Sequence, residues 1–218
     1  IRVDSSNIIG SGHVIRCIHL ARELKKINYN VIFICREHIG NLIKYIANEF
    51  ETITLMRKEK IDDSNTNNYN NWLTVSNKED AFDSFCGFND LPIISIEWII
   101  IDHYGINNLW QKYFYQLLAE KKNILIPRLL LIDDLFLDKP FGNIVVNQIY
   151  THKKKIFDES FLENRNINIL SGPKYALLSP DYLNMRRNCS IRKNIFTITV
   201  YFGGVDSFNY TFKVINVL

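Results

Sequence analysis

A glycine loop followed by a histidine is the first group of residues in this sequence whose pattern could support chemistry. Gly10 and Gly12 flank Ser11, and His13 follows directly, where a helical apolar pattern begins. Two glycines let the backbone approach a ligand closely, and the first amides of a helix favour an anion such as phosphate. The third glycine of a dinucleotide fingerprint would fall at Ile15, and no Gly-Lys-Ser/Thr triplet exists, so the Rossmann-cofactor and P-loop interpretations both fail. The loop indicates an anion site or an ordinary turn, and the sequence leaves both open.

His13 itself has two interpretations. The positive end of a helix dipole disfavours an imidazolium in the first turn, so we expect a neutral imidazole. A neutral imidazole beside a phosphate ester can take a proton from water or a hydroxyl group, which is the work of a general base. The alternative is a histidine that hydrogen-bonds locally at the start of its helix.

Carboxylates follow two of the strands that the sequence predicts. Asp102-His103-Tyr104 ends one strand and Asp133-Asp134 ends another. Neighbouring residues on a strand point to opposite faces, so we expect Asp133 and Asp134 not to act as one dyad, and loop capping is the commoner role. The sequence contains no Gly-x-Ser-x-Gly elbow and no His-x-x-x-His or His-Glu-x-x-His pair, so we expect no nucleophilic serine, no metal and no cofactor.

The composition limits the class of protein. The 218 residues include 26 Lys and Arg against 23 Asp and Glu, for a net charge of +3, and 47% of them are hydrophobic. This is the composition of a globular protein, and without a basic stripe we expect no nucleic-acid partner. The four cysteines are widely spaced and the apolar runs are shorter than the roughly 20 residues of a membrane span, so we expect a cytoplasmic protein without stable membrane association. We also expect it to be a monomer.

Helical and strand-like segments alternate along most of the chain. Helical spacing is present from Val14 to Leu24, at 41–48 and at 109–121, and strand-like runs lie at 1–3, 31–35, 52–55, 98–101, 129–132 and 143–146. This alternation predicts an α/β fold with a doubly wound, Rossmann-like parallel sheet, whose ligands bind beyond the carboxyl ends of the strands. The Asn-rich stretch at 58–80 is interpreted as a surface loop.

The composition changes after residue 170, where the pairs Gly172-Pro173 and Ser179-Pro180 interrupt regular structure and a basic segment follows at 186–193. This pattern indicates a connector. A new strand at 196–201, the sequence Phe202-Gly203-Gly204-Val205-Asp206 and a helix at 209–218 then indicate the beginning of a second α/β domain that is cut short. We therefore predict an N-terminal catalytic domain at 1–190 and, at 191–218, the start of a truncated nucleotide-binding domain.

Six segments resemble, in order, those of one known family. They are RVDSS with IGSGHVIR (residues 2–16), NWLTVSNKEDA (71–81), WIIIDHY (98–104), LLLIDDL (129–135), GPKYALL (172–178) and FGGVD (202–206). The chain resembles the nucleotide-sugar hydrolases of pseudaminic acid biosynthesis, which remove UDP from UDP-2,4-diacetamido-2,4,6-trideoxy-β-L-altropyranose.

The resemblance implies a two-domain fold of glycosyltransferase type B and a metal-independent hydrolysis. His13 matches the family's catalytic histidine, which activates water. Tyr104 matches a tyrosine near the sugar, Asp4 and Gly12 match the loop that shapes its pocket, and Gly203 and Gly204 match a pair whose amides face the diphosphate. In the family the second domain holds most of the UDP, so the 218 residues alone could lack turnover.

Two alternatives stay open beside this hydrolase. One is a glycosyltransferase of the same fold, in which an acceptor hydroxyl replaces water. The other is an inactive fragment or pseudoenzyme, because most of the UDP-binding domain would be absent.

Overall fold

The computed structural model describes residues 1–58, 69–89, 91, 95–121, 125–136, 141–149, 167–190, 194, 197–204, 206 and 208–218. The described strands are β1 (Arg2–Val3), β2 (Ile32–Arg36), β3 (Glu51–Leu55), β4 (Trp98–Asp102), β5 (Arg128–Ile132), β6 (Ile144–Asn147) and β7 (Asn168–Ser171). The described helices are α1 (Gly12–Lys26), α2 (Ile43–Ala47), α3 (Asn77–Asn89), α4 (Asn108–Ala119), α5 (Asp181–Arg187) and α6 (Tyr210–Ile215). Short 3₁₀ turns span Tyr69–Leu73 and Pro173–Tyr175.

The seven strands form one parallel sheet in the order β3-β2-β1-β4-β5-β6-β7. The chain winds outward from β1 to β3, then returns to the other side of β1 with β4 and continues outward to β7. The order therefore reverses between β1 and β4, which is where ligands bind in doubly wound sheets. The predicted α/β fold with a parallel sheet is confirmed, and β7 is a strand that the sequence pattern did not indicate.

The sheet is covered on both faces, which explains the unbroken apolar runs in its central strands. Ile99 and Ile101 of β4 pack in a core with α3 and α4. Ile100, between them, belongs to the opposite core, which contains the buried face of α1. Three layers result, with β1 and β4 at the centre.

Helix α1 is amphipathic and places the start of its first turn at the sheet edge. Its buried residues recur at helical spacing: His13, Val14, Cys17, Ile18 and Ala21. Lys25 and Lys26 lie in the last turn, where they complement the dipole. Ser11, at the N-cap, makes no side-chain capping hydrogen bond, and the first turn has no acidic residue.

The interpretation of 58–80 as a surface loop is wrong for its second half, while residues 59–68 lie outside the described residues. The chain forms a 3₁₀ turn at Tyr69–Leu73, and helix α3 begins at Asn77. Leu73 and Asp80 are fully buried. The pattern concealed this because α3 buries Asp80 and Ser84 beside two apolar positions, so its apolar stripe is weak.

The predicted strand at 196–201 is also wrong, as far as residues 197–201 are described. These residues form no strand, and Ile198 and Tyr201 are largely exposed because no neighbouring strand pairs with them. The helix predicted at 209–218 is confirmed as α6. The domain boundary after residue 190 stays a prediction, and residues 191–193 lie outside the described part. No helix among the described residues has the length and apolar character needed to cross a membrane.

Candidate functional site

His13 and Asp102 form a buried pair at the point where the strand order reverses. His13 lies in the first turn of α1, after β1, and Asp102 is the last residue of β4. His13 Nδ1 lies 2.6 Å from Asp102 Oδ1. The two residues are 89 positions apart, and the pairing of β1 with β4 brings them together.

The hydrogen bonds of Asp102 determine which nitrogen of His13 carries a proton. Burial raises the pKa of Asp102, but hydrogen bonds from Arg16 and the interaction with His13 outweigh it, so the net pKa is lowered. An ionised carboxylate only accepts hydrogen bonds, so Nδ1 of His13 must be the donor. A neutral His13 therefore has its free electron pair on Nε2, the nitrogen that a general base would use.

Arg16 connects this pair to a second carboxylate. Its Nε and Nη2 donate to Asp102 at 2.6 and 2.5 Å, and its Nη1 donates to Asp134. Arg16 lies one helical turn after His13, so both side chains leave α1 on the same side. The guanidinium holds the ionised Asp102 in place.

Two aromatic rings, Trp72 and Tyr104, pack against His13, and a third, Tyr69, packs against both of them; we call these three rings the aromatic wall. The ring centroids of Tyr104 and Trp72 lie 4.8 and 5.7 Å from that of His13, both edge-on. Tyr69 packs edge-on against both other rings of the wall, at 4.9 and 5.4 Å. Burial raises the pKa of Tyr104 well above its ordinary value, so its phenol stays protonated and donates to Asp134 at 3.4 Å.

Asp133 and Asp134 have separate roles, as their alternation on the strand predicts. Asp133 Oδ1 accepts from the amides of Leu135 and Phe136 and caps the loop after β5. Burial raises the pKa of Asp133 above its ordinary value. Asp134 instead accepts from Arg16, Tyr104 and the Gln148 amide. Only Asp134 belongs to the site.

Asp4 lies beneath the site and is fully buried. Its carboxylate pairs with Arg2 and accepts from the amide of Arg36 at 2.7 Å. Burial raises its pKa, but Arg2 and two nearby histidines, His38 and His103, outweigh this effect and hold the pKa well below its usual range. The histidine Nε2 atoms lie 3.5 and 3.2 Å from Asp4 Oδ2 without hydrogen-bond geometry.

Arg2 and Arg36 continue this network to helix α3. Both guanidinium groups donate to Asp80, at distances between 2.8 and 3.1 Å, and Trp110 Nε1 also donates to Asp80 at 2.8 Å. Arg2, Arg36 and Asp80 are at most 1% exposed. The network fixes the ends of β1 and β2 to α3 and forms the floor of the site.

The glycine residues lie at the open side of the site. Gly10 has a φ of +81°, and a Cβ placed on Gly12 would meet no atom within 4 Å. A Cβ on Gly204 would lie 2.5 Å from Ser11 Oγ, so the second glycine pair reaches the Gly10–Gly12 loop. Gly203 has a φ of +80°, which favours glycine. Of the residues predicted for the site, Gly12 directly precedes His13 on α1, Tyr104 packs on His13, and Gly204 lies against Ser11, whereas Asp4 belongs to the buried ionic network.

Arg16 and Trp72 belong to the site although the sequence did not indicate them, and Asp134 belongs to it although the expected role of this carboxylate was loop capping. Arg16 follows His13 by three residues, a spacing that could have indicated one helix face. Trp72 stood in the stretch interpreted as a loop, and no pattern connected it to Tyr104. No group of three or more His, Cys, Asp or Glu side chains within the described residues has the arrangement of a metal site.

Comparison with known proteins finds an uncharacterized relative, which does not indicate a function. No protein-family model matches the chain. An uncharacterized protein of Methanocaldococcus jannaschii is 30% identical over 228 aligned residues, which include 99% of this chain and 38% of the relative. The chain therefore spans about two fifths of that relative's length.

Proposed function

We propose that this protein hydrolyses a UDP-sugar, UDP-2,4-diacetamido-2,4,6-trideoxy-β-L-altropyranose, to UDP and the free sugar. The observation that carries the proposal is the His13–Asp102 pair at the reversal point of the sheet, with Nε2 of His13 left as the base. The identity of the substrate is taken from the six segments that resemble the pseudaminic acid hydrolases. Four of them contribute side chains to the site or its floor.

In this mechanism His13 Nε2 takes a proton from a water molecule as the water oxygen attacks the anomeric carbon. The bond between that carbon and the diphosphate oxygen breaks, and UDP leaves with the electron pair. Asp102 is a positioning residue: it holds the Nδ1–H tautomer and stabilises the imidazolium that forms. The uncapped amides at the start of α1 and the nearby Gly203-Gly204 pair are suited to the diphosphate.

We also propose that the described sheet is the N-terminal half of a glycosyltransferase type B fold. The all-parallel order and the site at the carboxyl edge of β1 and β4 support this assignment. The contact of Gly204 with Ser11 supports it further, because in such a fold the second domain meets the first across the site.

The test is release of UDP from the altropyranose substrate, followed over time with the 218-residue chain. His13→Asn should lower turnover by about 10²–10⁴-fold, the usual contribution of a general base. His19→Asn is the matched control, because His19 lies on the same helix outside the site. The proposal fails if the wild type neither releases UDP nor binds the substrate, or if His13→Asn releases UDP as fast as His19→Asn.

The acceptor of the sugar distinguishes the hydrolase from a glycosyltransferase of the same fold. Release of UDP in buffer, where water is the acceptor, supports the hydrolase. Release that begins only when an alcohol or lipid acceptor is added supports the transferase.

A further inference from the structure

Cys17 is a buried thiol that the proposed mechanism does not use. It is fully buried in α1, and its Sγ lies 3.5 Å from Oδ2 of Asp102. His13, Arg16 and Cys17 occupy positions i, i+3 and i+4 of one helix, which places their side chains on the same face. All three side chains of this face contact the same carboxylate.

The thiol is the donor in its contact with Asp102. Burial, and after it the negative charge of Asp102, raises the pKa of the Cys17 thiol well above its ordinary value, so the sulfur keeps its proton. The pKa of Asp102 is lowered, so its carboxylate is ionised and can only accept hydrogen bonds. The Sγ–H group therefore donates to Oδ2.

This contact completes the hydrogen bonds of Asp102. Oδ1 accepts from His13 Nδ1 and Arg16 Nη2, and Oδ2 accepts from Arg16 Nε and Cys17 Sγ. A carboxylate has about four acceptor positions, and here each of its oxygens accepts two hydrogen bonds. Asp102 is fully buried, so a donor that is lost cannot be replaced by bulk water.

We propose that Cys17 is a positioning residue whose thiol shares the charge of Asp102 and so sets how strongly this carboxylate holds the Nδ1–H group of His13. The role of Cys17 in turnover rests on the proposed function, because Cys17 acts through the base of that mechanism. Its effect on His13 does not, and can be measured without a substrate.

The direction of the effect follows from the shared charge. Each donor stabilises the ionised carboxylate and lowers its attraction for the other donors. Without the thiol, Asp102 is a stronger acceptor, and the hydrogen bond from His13 Nδ1 should tighten. A thiol is a weak donor, so this change should be smaller than the change caused by losing a bond from Arg16.

The experiment observes the ring nitrogens of His13 by two-bond proton–nitrogen NMR of the whole chain at about pH 9, where an ordinary histidine is neutral. The carbon-bound ring protons used in this spectrum do not exchange with water, so the histidine signals are recorded whether buried or exposed. His13→Asn assigns the His13 signals by their loss. The Nδ1 resonance moves downfield as its proton is drawn more strongly toward an acceptor.

Two substitutions separate the thiol donor from the packing of the side chain. Cys17→Ala removes the donor and leaves space, whereas Cys17→Val removes the donor and fills that space. We expect the Nδ1 resonance of His13 to move downfield in both variants. Cys35→Ala is the matched control, because Cys35 is a buried thiol of the same core and should leave this resonance unchanged. Far-ultraviolet circular dichroism establishes that each variant is folded.

The outcomes separate this inference from the hydrolase proposal. If the wild type neither releases UDP nor binds the altropyranose substrate, but both Cys17 variants move the resonance downfield, the inference stands and the hydrolase proposal fails. If UDP is released and Cys17→Val keeps the wild-type resonance, packing rather than the thiol acts on His13, and the inference is overturned. It is also overturned if Cys17→Ala shows no downfield shift, or if Cys35→Ala shifts the resonance as far as the Cys17 variants do.

Discussion

Replacing Asp102 with Asn changes one atom of the carboxylate and tests the role of the His13–Asp102 pair. Oδ1 of Asp102 accepts hydrogen bonds from His13 Nδ1 and Arg16 Nη2, and Oδ2 accepts one from Arg16 Nε. An amide group in this place has only one oxygen. Whichever way it is turned, its NH₂ group faces an N–H of Arg16.

The response of His13 depends on which way the amide is turned, because an amide oxygen at the position of Oδ1 still accepts from Nδ1 whereas an NH₂ group there does not. Arg16 cannot give up a proton, whereas a neutral imidazole can move its proton from one nitrogen to the other. With the amide NH₂ toward His13, the imidazole must accept at Nδ1 and carry its proton on Nε2. His13 then has no free electron pair facing the substrate.

The expected loss of turnover in Asp102→Asn is about 10²–10⁴-fold, as for removal of a general base. This corresponds to about 3–5 kcal/mol of transition-state stabilisation, at 1.36 kcal/mol for each factor of ten. Stability should also fall, by about 2–3 kcal/mol. This is less than the roughly 3–5 kcal/mol for breaking a buried ion pair, because Arg16 keeps its second partner, Asp134.

The assay measures UDP release and urea unfolding of Asp102→Asn beside Asp133→Asn. The control changes a nearby, partly buried aspartate whose role is loop capping, which asparagine can also perform. It should keep wild-type turnover. If Asp102→Asn turns over within threefold of the control, Asp102 does not position His13 and the mechanism is wrong.

Two further predictions concern the buried carboxylates of the site and its floor. Asp80→Asn should lower the free energy of unfolding by about 2–3 kcal/mol in urea, because two buried arginines lose their shared carboxylate while Arg2 keeps Asp4 and Arg36 keeps Asp83, and a loss below about 1 kcal/mol would contradict that role. The folded-state pKa values of Asp4, Asp80 and Asp102 are lowered, so the stability that these carboxylates contribute is present above their unfolded-state pKa near 4 and is lost as the pH falls further. The free energy of unfolding measured in urea should therefore drop below about pH 4, and should drop less steeply in Asp80→Asn. A profile that stays flat below this pH would refute this prediction.

The sequence predicted the central architecture because its signals there are local. The apolar run of β4 and the periodic face of α1 each indicate one element, and the strand-end rule places His13 and Asp102 at the same edge. The pairing of His13 with Asp102 was not predictable, because it requires β1 to lie next to β4. The two residues are 89 positions apart in the sequence.

Helix α3 and the floor of the site were missed for a different reason. Hydrophobic periodicity detects apolar burial, and Asp80 is buried through ion pairs with arginines from β1 and β2. The strand predicted at 196–201 fails for a related reason. β-rich composition indicates a strand only where a neighbour is available to pair, and residues 197–201 have none among the described residues.

The charged floor has a consequence for how the protein folds. β1 contains two residues, too few to hold a place in the sheet by apolar contacts, and Arg2 joins it to Asp80 across 78 positions of sequence. Contacts between such distant segments form late, because closing a long loop must precede any gain from the contact. We expect β1, the end of β2 and α3 to become protected in a single late step, and the site above them to be absent from any earlier intermediate. A partly folded chain would then be unable to bind a ligand through this site, so ligand binding would report directly on completed folding.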